Sequence, residues 1–159
     1  ETATAWFSFN DSTVESGCVR YIPGSHKTEA IHDFHPNPNN LAPVGQTVRG
    51  VDEGKAMDAV LRAGQVVFHH ESVVHGSQPN RSDHPRVGLS IHYCAPHVRE
   101  TRYDGATAMV LRGQDTHGFW GTDLEPKQDY DPDCIQWMLD TRQKFLDATN
   151  QNVKDEIRS

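Results

Sequence analysis

The sequence predicts a mainly β fold that ends in a single long helix. Residues 4–10 alternate polar and apolar side chains. Residues 86–93 do the same, with arginine, glycine, serine and histidine on one face and valine, leucine, isoleucine and tyrosine on the other. This two-residue period is that of a β-strand with two different faces. Residues 131–157 begin instead with Asp-Pro-Asp, an N-cap followed by proline at the first helical position, and continue with apolar residues at helical spacing.

The remaining elements follow from turn residues and short apolar runs. Residues 11–17 and the Ala63-Gly64 pair predict turns, and residues 27–57 are rich in loop-forming residues. We also expect a bend within residues 71–74, just before a histidine. The predicted strands are, in order, residues 4–10, 18–22, 57–62, 65–69 and 86–93.

Composition limits the class of protein. A chain of 159 residues fits one domain, residues 1–159, with a core of its own. Its formal net charge of -7 argues against nucleic-acid and anionic-membrane partners. Cys18, Cys94 and Cys134 lack the spacing of a zinc site. With no signal-peptide pattern or membrane-spanning run in the sequence, they predict reduced thiols in a cytoplasmic protein.

The most informative stretch is residues 75–86, in which a turn-rich loop joins His75 to Arg86. Arg86 lies on the polar face of its strand beside small and polar neighbours, so that face predicts the wall of a pocket. A guanidinium that faces inward needs an anionic partner, because burying it unpaired costs several kcal/mol. His75 can offer a neutral imidazole to a metal. The stretch therefore predicts a site that binds a metal at one end and a carboxylate at the other.

Together with motifs upstream, this stretch resembles the phytanoyl-CoA dioxygenase family of non-haem iron(II), 2-oxoglutarate-dependent oxygenases. The resemblance covers about residues 4–97 and depends on the combination of motifs rather than on any one of them. The matching motifs are Thr4-Ala5-Trp6, residues 15–27 with Pro23-Gly24-Ser25-His26, residues 63–70, His75-Gly76-Ser77, Asn80-Arg81-Ser82 and Arg86.

The resemblance implies a double-stranded β-helix, a jelly-roll barrel of which this chain is the C-terminal part, incomplete at its N-terminus. It implies that His75 is one ligand of iron(II), and that a His-x-Asp pair expected before Glu1 supplies the other two. Arg86 would bind the far carboxylate of 2-oxoglutarate, with a hydrogen bond from Ser77. Trp6 would form a wall of the same pocket.

The implied reaction is oxidative decarboxylation of 2-oxoglutarate to succinate, coupled to hydroxylation of a small organic or acyl substrate by dioxygen. Halogenation and other oxidations also occur in the family. A second class of function stays open. The chain could be a non-catalytic β-barrel module that binds a small molecule and lacks a complete iron site. The helix at 131–157 could pack on the sheet or against a second subunit, as in a homo-oligomer.

The sequence also offers an internal metal site. Residues 69–71 spell His-x-Glu, and an unbroken strand would place His69, Glu71 and His75 on one face as an iron triad. The bend expected after residue 70 disfavours this set.

Three further histidines, all upstream of the predicted site, are candidates for a metal or active-site role. His32 and His35 stand in a stretch broken by prolines, which favours a lid or surface loop over a metal site. We interpret His26 as mainly structural, with contact to the active site as the alternative.

Overall fold

A computed structural model describes residues 2–28, 30, 32–33, 47–101 and 103–158, with the backbone alone at 32–33 and 152–158. Within this part of the chain the fold is mainly β, and the helix α1 spans Pro132–Arg158. The strands are, in chain order, β1 Thr2–Ser8, β2 Val19–Tyr21, β3 His32–Asp33, β4 Thr47–Val48, β5 Met57–Asp58, β6 Val66–His70, β7 His75–Ser77, β8 Gly88–Cys94, β9 Thr107–Ala108 and β10 Gly121–Thr122.

Two compact units make up the chain. The first contains Glu1–His32 and Val48–Ala95, and the second contains Asp33–Thr47 and Pro96–Ser159. One domain over residues 1–159 stays a prediction. All four residues that the sequence predicts for the metal and the cosubstrate lie in the first unit.

β1 is the central strand of a three-stranded sheet with the order β6-β1-β8. Both neighbours run antiparallel to β1, and Trp6 lies opposite Val67 on one side and Ser90 on the other. The predicted alternation is confirmed, since paired residues of an antiparallel ladder share a face. We name the two faces of this sheet the site face and the apolar face. The site face carries Thr4, Trp6, Ser8, Val67, His69, Gly88, Ser90 and His92, and the apolar face carries Ala3, Ala5, Phe7, Val66, Phe68, His70, Leu89, Ile91 and Tyr93.

The second three-stranded sheet of this unit has the order β5-β2-β7, with β2 antiparallel to both neighbours. Tyr21 lies opposite His75, and Val19 lies opposite Ser77, so these four residues share one face. The ring centroids of Tyr21 and His69 are 4.9 Å apart. The face of β7 that carries His75 and Ser77 is therefore turned towards the site face of the first sheet. Closure of the two sheets into a jelly-roll barrel stays a prediction.

β5 is shorter than the strand predicted over residues 57–62. Beyond β5 the N–H of Ala59 still donates to the carbonyl of Val19, at 2.8 Å. The chain then forms a single bridge between Leu61 and Ser12. The ladder with β2 ends here because β2 itself begins at Val19, so residues further along pair with the turn that precedes β2.

The connection from β6 to β7 bends as predicted. The N–H of Val73 donates to the carbonyl of His70, and the N–H of Ser72 donates to Nδ1 of the same histidine. These two bonds close a turn that breaks the alternation of β6. Glu71 is consequently exposed in the turn and does not continue the face that carries His69.

In the second unit, β9 and β10 pair in parallel, and α1 begins at the predicted N-cap. Oδ1 of Asp131 accepts the N–H of Asp133 at 3.0 Å, and Oδ2 accepts the N–H of Lys127 at 2.9 Å. These bonds favour the ionised carboxylate, and the one from Lys127 contributes most to lowering the pKa of Asp131. The predicted start of the helix at residues 131–133 is confirmed.

Several sequence predictions concern the loop-rich residues 27–57. β3 and β4 form a two-stranded ribbon, and Glu53–Lys55 forms a single 3₁₀ turn. His35 and the side chain of His32 lie outside the described residues, so a lid at this position stays a prediction. Among the helical residues that the structure describes, none form a helix long and apolar enough to cross a membrane.

Candidate functional site

Hydrogen bonds to Asn10 fix the backbone on both sides of Arg86. Nδ2 of Asn10 donates to the carbonyl of Pro85 at 2.5 Å, and its Oδ1 accepts the N–H of Val87 at 2.8 Å. The N–H of Phe9 adds a bond to the carbonyl of Val87, at 2.9 Å. One amide side chain thus anchors the arginine to the end of β1, the central strand of the sheet.

The loop before Arg86 is shaped by its own polar groups. Oδ1 of Asn80 accepts the N–H and the hydroxyl of Ser82, at 2.8 and 2.7 Å, and Nδ2 of Asn80 donates to the carbonyl of His84. The N–H of Arg81 donates to the carbonyl of Glu15 at 2.9 Å. Arg81 is exposed in this turn, unlike the half-buried Arg86.

The guanidinium of Arg86 contacts both Trp6 and Ser77. Its central carbon lies 5.1 Å from the centroid of the Trp6 ring, and Nη2 donates to Oγ of Ser77 at 3.3 Å. Nη1 of Arg86 and Nε1 of Trp6 are both buried, and neither has a hydrogen-bond partner among the residues that the structure describes. Leaving a buried donor without an acceptor costs about 1–3 kcal/mol, and more for a charged group. The three residues predicted for the cosubstrate therefore come together around donors that an anion would satisfy.

Gly88 makes room for the indole of Trp6. A Cβ at this position would overlap the six-membered ring of Trp6 and would lie 2.8 Å from the carbonyl oxygen of Phe7. Real side chains do not tolerate such approaches without a shift of their neighbours. The glycine thus allows Trp6 to lie against β8, close to Arg86.

His75 is oriented to bind a metal through Nε2. Its Nδ1 lies 2.8 Å from the carbonyl oxygen of Val73. A carbonyl oxygen can only accept, so Nδ1 carries the proton, and the lone pair of the neutral imidazole is on Nε2. A backbone contact of this kind commonly fixes the ring of a metal-binding histidine. His75 is an exposed residue, and the orientation of its ring fits the predicted role.

Two further rings surround His75. Its ring centroid lies 5.1 Å from that of His69 and 5.9 Å from that of Tyr21. Burial lowers the pKa of His69, against a hydrogen bond to the His70 carbonyl that raises it. Burial raises the pKa of Tyr21 to about 12, although the positive charge of Arg86 opposes the rise. Neutral rings therefore adjoin His75 at pH 7.

Within the described part of the chain, no three histidine, cysteine, aspartate or glutamate side chains group as a metal site. Glu71 is in the turn after β6, so the internal triad with His69 and His75 does not form. His26 stacks on His70 with ring centroids 5.3 Å apart. Because His70 belongs to the apolar face, His26 does not reach the site face.

Sequence reasoning assigned no role to Asn10 or to Tyr21. The alternation of residues 4–10 does place Asn10 on the same face as Trp6, and the short run of β2 places Tyr21 and Val19 together. Neither pattern says which distant strand lies alongside. The roles of both residues arise from contacts with segments more than fifty positions away.

Comparison with known proteins identifies the family. Residues 1–88, more than half of the chain, match the family model of phytanoyl-CoA dioxygenase (PhyH). This chain belongs to the phytanoyl-CoA dioxygenase family. The resemblance seen in the motifs is thereby confirmed.

Among curated relatives, the phytanoyl-CoA dioxygenase domain-containing protein 1 homolog of Dictyostelium discoideum is 33% identical over 96 residues, which are 58% of this chain and 34% of that protein. The human peroxisomal phytanoyl-CoA dioxygenase is 27% identical over 93 residues, 57% of this chain and 28% of that enzyme. The chain thus spans about a third of the length of the curated relatives that it matches.

Solved structures share the fold. The non-haem monooxygenase ThoJ in its apo form is 28% identical, with a TM-score of 0.79 over 97% of this chain and 55% of ThoJ. EvdO2 from Micromonospora carbonacea var. aurantiaca, solved with 2-oxoglutarate, is 29% identical, with a TM-score of 0.51 over 57% of this chain and 37% of EvdO2. The chain therefore has the fold of non-haem oxygenases of the 2-oxoglutarate type.

Proposed function

We propose that this chain forms the cosubstrate-binding side of an iron(II)- and 2-oxoglutarate-dependent oxygenase. The proposed reaction is oxidative decarboxylation of 2-oxoglutarate to succinate, coupled to hydroxylation of a small organic or acyl substrate by dioxygen. Membership in the phytanoyl-CoA dioxygenase family supports the reaction class. The complex of EvdO2 with 2-oxoglutarate supports the choice of cosubstrate.

The arrangement of donors around Arg86 carries the proposal. Nη1 of Arg86 is buried without an acceptor among the described residues, while Nη2 already contacts Ser77. A carboxylate placed there would accept from both guanidinium nitrogens, the geometry in which arginine binds carboxylates best. Ser77 accepts the bond from Arg86 and can donate its own hydroxyl hydrogen to the same carboxylate. Three predicted residues would then act together, with Trp6 stacked against the guanidinium.

The metal end of the site would lie at His75. His75 and Ser77 are two positions apart on one face of β7, which separates them by about 7 Å along the strand. A five-carbon 2-oxo diacid is long enough to bind at Arg86 with one end and near His75 with the other. When bound there, iron(II) would supply the activation of dioxygen and the oxidation of a C–H bond. We propose that its other ligands are the His-x-Asp pair expected before Glu1.

The residues described here would orient the cosubstrate and exclude water from it. Arg86 and Ser77 would fix the far carboxylate, and the indole of Trp6 would cover the guanidinium on one side. Tyr21 and His69 would lie next to the metal end of the site. Both rings are neutral, so neither places a charge beside the bound diacid. Orientation of this kind is the usual contribution of a protein to cofactor chemistry.

Titration of 2-oxoglutarate into the anaerobic, iron(II)-loaded full-length protein tests the proposal through Arg86. Arg86→Lys keeps the charge but loses one of two charge-assisted hydrogen bonds, each worth about 1.5–3 kcal/mol. We expect its affinity for 2-oxoglutarate to fall about tenfold to hundredfold. Arg86→Ala should bind 2-oxoglutarate more weakly still, because it leaves the carboxylate without either guanidinium donor.

Arg81→Ala is the matched control, since Arg81 stands in the same loop but is exposed. It should change the affinity little. Equal losses for Arg81→Ala and Arg86→Ala, or no loss for either, would contradict the assignment. The alternative, a non-catalytic binding module, predicts the same anion affinity without formation of succinate. Measuring succinate released by the aerobic, iron(II)-loaded full-length protein therefore separates the two functions.

A further inference from the structure

We propose that residues 10–17 form a platform that positions the cosubstrate loop, and that Gly17 is a positioning residue for 2-oxoglutarate. The cosubstrate loop is residues 78–86, which begin directly after Ser77 and end at Arg86. This inference rests on the proposed function and extends it to residues outside the predicted site. The platform begins two residues after the end of β1, the central strand of its sheet.

The platform is closed by its own hydrogen bonds. The N–H of Thr13 donates to Oγ of Ser16 at 2.9 Å, and the N–H of Ser16 donates to Oγ1 of Thr13 at 3.1 Å. The N–H of Cys18 adds a bond to the carbonyl of Thr13 at 2.9 Å. Ser12 and Ser16 are buried, and Ser12 pairs with Leu61 in a single bridge. A turn that is closed in this way has few other conformations, so it can hold a neighbouring loop in one place.

The platform is bonded to the cosubstrate loop at two points. In the first half of the loop, the N–H of Arg81 donates to the carbonyl of Glu15 at 2.9 Å. At the end of the loop, the amide of Asn10 bonds to the backbone on both sides of Arg86. Both bonds come from one short segment, so the position of the arginine depends on how the loop lies against the platform.

Gly17 allows the platform and the loop to approach each other closely. Its φ is 74°, and a Cβ at this position would overlap the carbonyl oxygen of Gln78 and would lie 3.4 Å from the amide nitrogen of Asn80. The carbonyl of Gln78 belongs to the backbone, so it cannot move aside by rotation of a side chain. A larger residue at position 17 would therefore push the loop away from the platform.

Gly24 is a matched control for this close approach. Its φ is 80°, yet a Cβ there would meet nothing within 4 Å. Gly17 lies two residues before β2 and Gly24 three residues after it. Asparagine tolerates a positive φ better than most residues, so it adds a Cβ with little strain at either position. Gly17→Asn and Gly24→Asn therefore differ mainly in the contact with Gln78.

Two titrations of the full-length protein test the platform. We expect Gly17→Asn to lose about tenfold to hundredfold in affinity for 2-oxoglutarate in the anaerobic, iron(II)-loaded state, because a displaced loop would break one of the bonds from Arg86. The same variant should keep the Ni(II) affinity of the metal-free parent, because the carbonyl of Val73, outside the loop, orients His75. Gly24→Asn should keep both affinities.

A second variant covers the case in which Gly17→Asn does not fold, as judged by circular dichroism. Asn10→Ala removes the other attachment of the loop, and the same pair of results is expected from it. Loss of 2-oxoglutarate affinity with Ni(II) affinity kept would support the platform. Loss of both affinities together would overturn it, because that result indicates general damage to the structure rather than a misplaced loop.

The remaining results separate the platform from the proposed function. Equal losses for Gly17→Asn and Gly24→Asn would overturn the platform, since only one of the two glycines contacts the loop. No loss for Gly17→Asn, with the loss for Arg86→Lys still present, would overturn the platform and leave the proposed function intact. No loss for Arg86→Lys would instead contradict the proposed function itself, and the platform would fail with it.

Discussion

The same strands form both faces of the β6-β1-β8 sheet, but the two faces differ in which side chains are buried. On the site face Thr4 and Ser8 are 3% and 0% exposed, and Thr4 contacts Nδ1 of His92 at 3.0 Å. On the apolar face Phe68 and Leu89 remain 66% and 45% exposed. Two polar residues of the site face are thus buried while two large apolar residues of the other face are exposed, although Ser90 and His92 on the site face are exposed and Ala5 on the apolar face is buried. The burial of Thr4 and Ser8 on either side of Trp6 fits the binding role proposed for the site face.

Two adjacent residues of β6 also show the difference between the two faces. His69 and His70 follow one another in β6, yet one meets Tyr21 and His75 and the other stacks on His26. The side chains of a strand alternate, so a shift of one position changes every contact. Residue type alone therefore does not identify the histidine that belongs to the site.

The largest effect is expected from crowding the site face at Gly88. Gly88→Ala would force Trp6 and the backbone at Phe7 apart, and overpacking of this kind costs about 1–3 kcal/mol. We expect a lower free energy of unfolding in urea and weaker binding of 2-oxoglutarate, because the indole would leave Arg86. Gly76→Ala is the control, since a Cβ at Gly76 meets nothing within 4 Å. Equal destabilisation by both alanine substitutions would mean that the fit of Trp6 does not explain the glycine.

A smaller effect is expected from removing the ring that contacts Arg86. Trp6→Leu keeps an apolar side chain but loses a cation–π contact worth about 0.5–2 kcal/mol. We expect the affinity for 2-oxoglutarate to fall about twofold to thirtyfold in a fluorescence or calorimetric titration. The matched change on the apolar face of the same strand, Phe7→Leu, should leave this affinity unchanged. An equally large loss of 2-oxoglutarate affinity for Phe7→Leu would contradict the assignment of binding to the site face alone.

The smallest effect is expected on the apolar face. Phe68 is mostly exposed, so Phe68→Thr removes little buried surface and keeps a residue suited to a strand. The free energy of unfolding should change by no more than about 0.5 kcal/mol, with 2-oxoglutarate affinity unaltered. Denaturant unfolding and the same ligand titration check both values. A loss above 2 kcal/mol would place Phe68 in a packed interface and contradict the distinction between the faces.

The sequence alone determined what depends on local pattern. The alternation of residues 4–10 and 86–93 predicted both faces of the sheet, and Asp131 at the N-cap predicted the start of α1, which its two backbone bonds confirm. The bend that the sequence predicts within residues 71–74 is the one that exposes Glu71. These features follow from residues a few positions apart, where the chain has few conformations to choose from.

Only the tertiary structure decided which strands are neighbours. Asn10 brackets Arg86 across 77 positions of sequence, and Tyr21 meets His75 because β2 lies beside β7. A two-residue period states which face a side chain occupies but not which strand lies alongside, since that depends on the packing of the whole sheet. The early end of β5 has the same cause, because the length of a strand is limited by its partner. The contact between His69 and His75 has the same origin. The sequence brought these two histidines together only as members of one unbroken strand, whereas the structure places them on strands of different sheets.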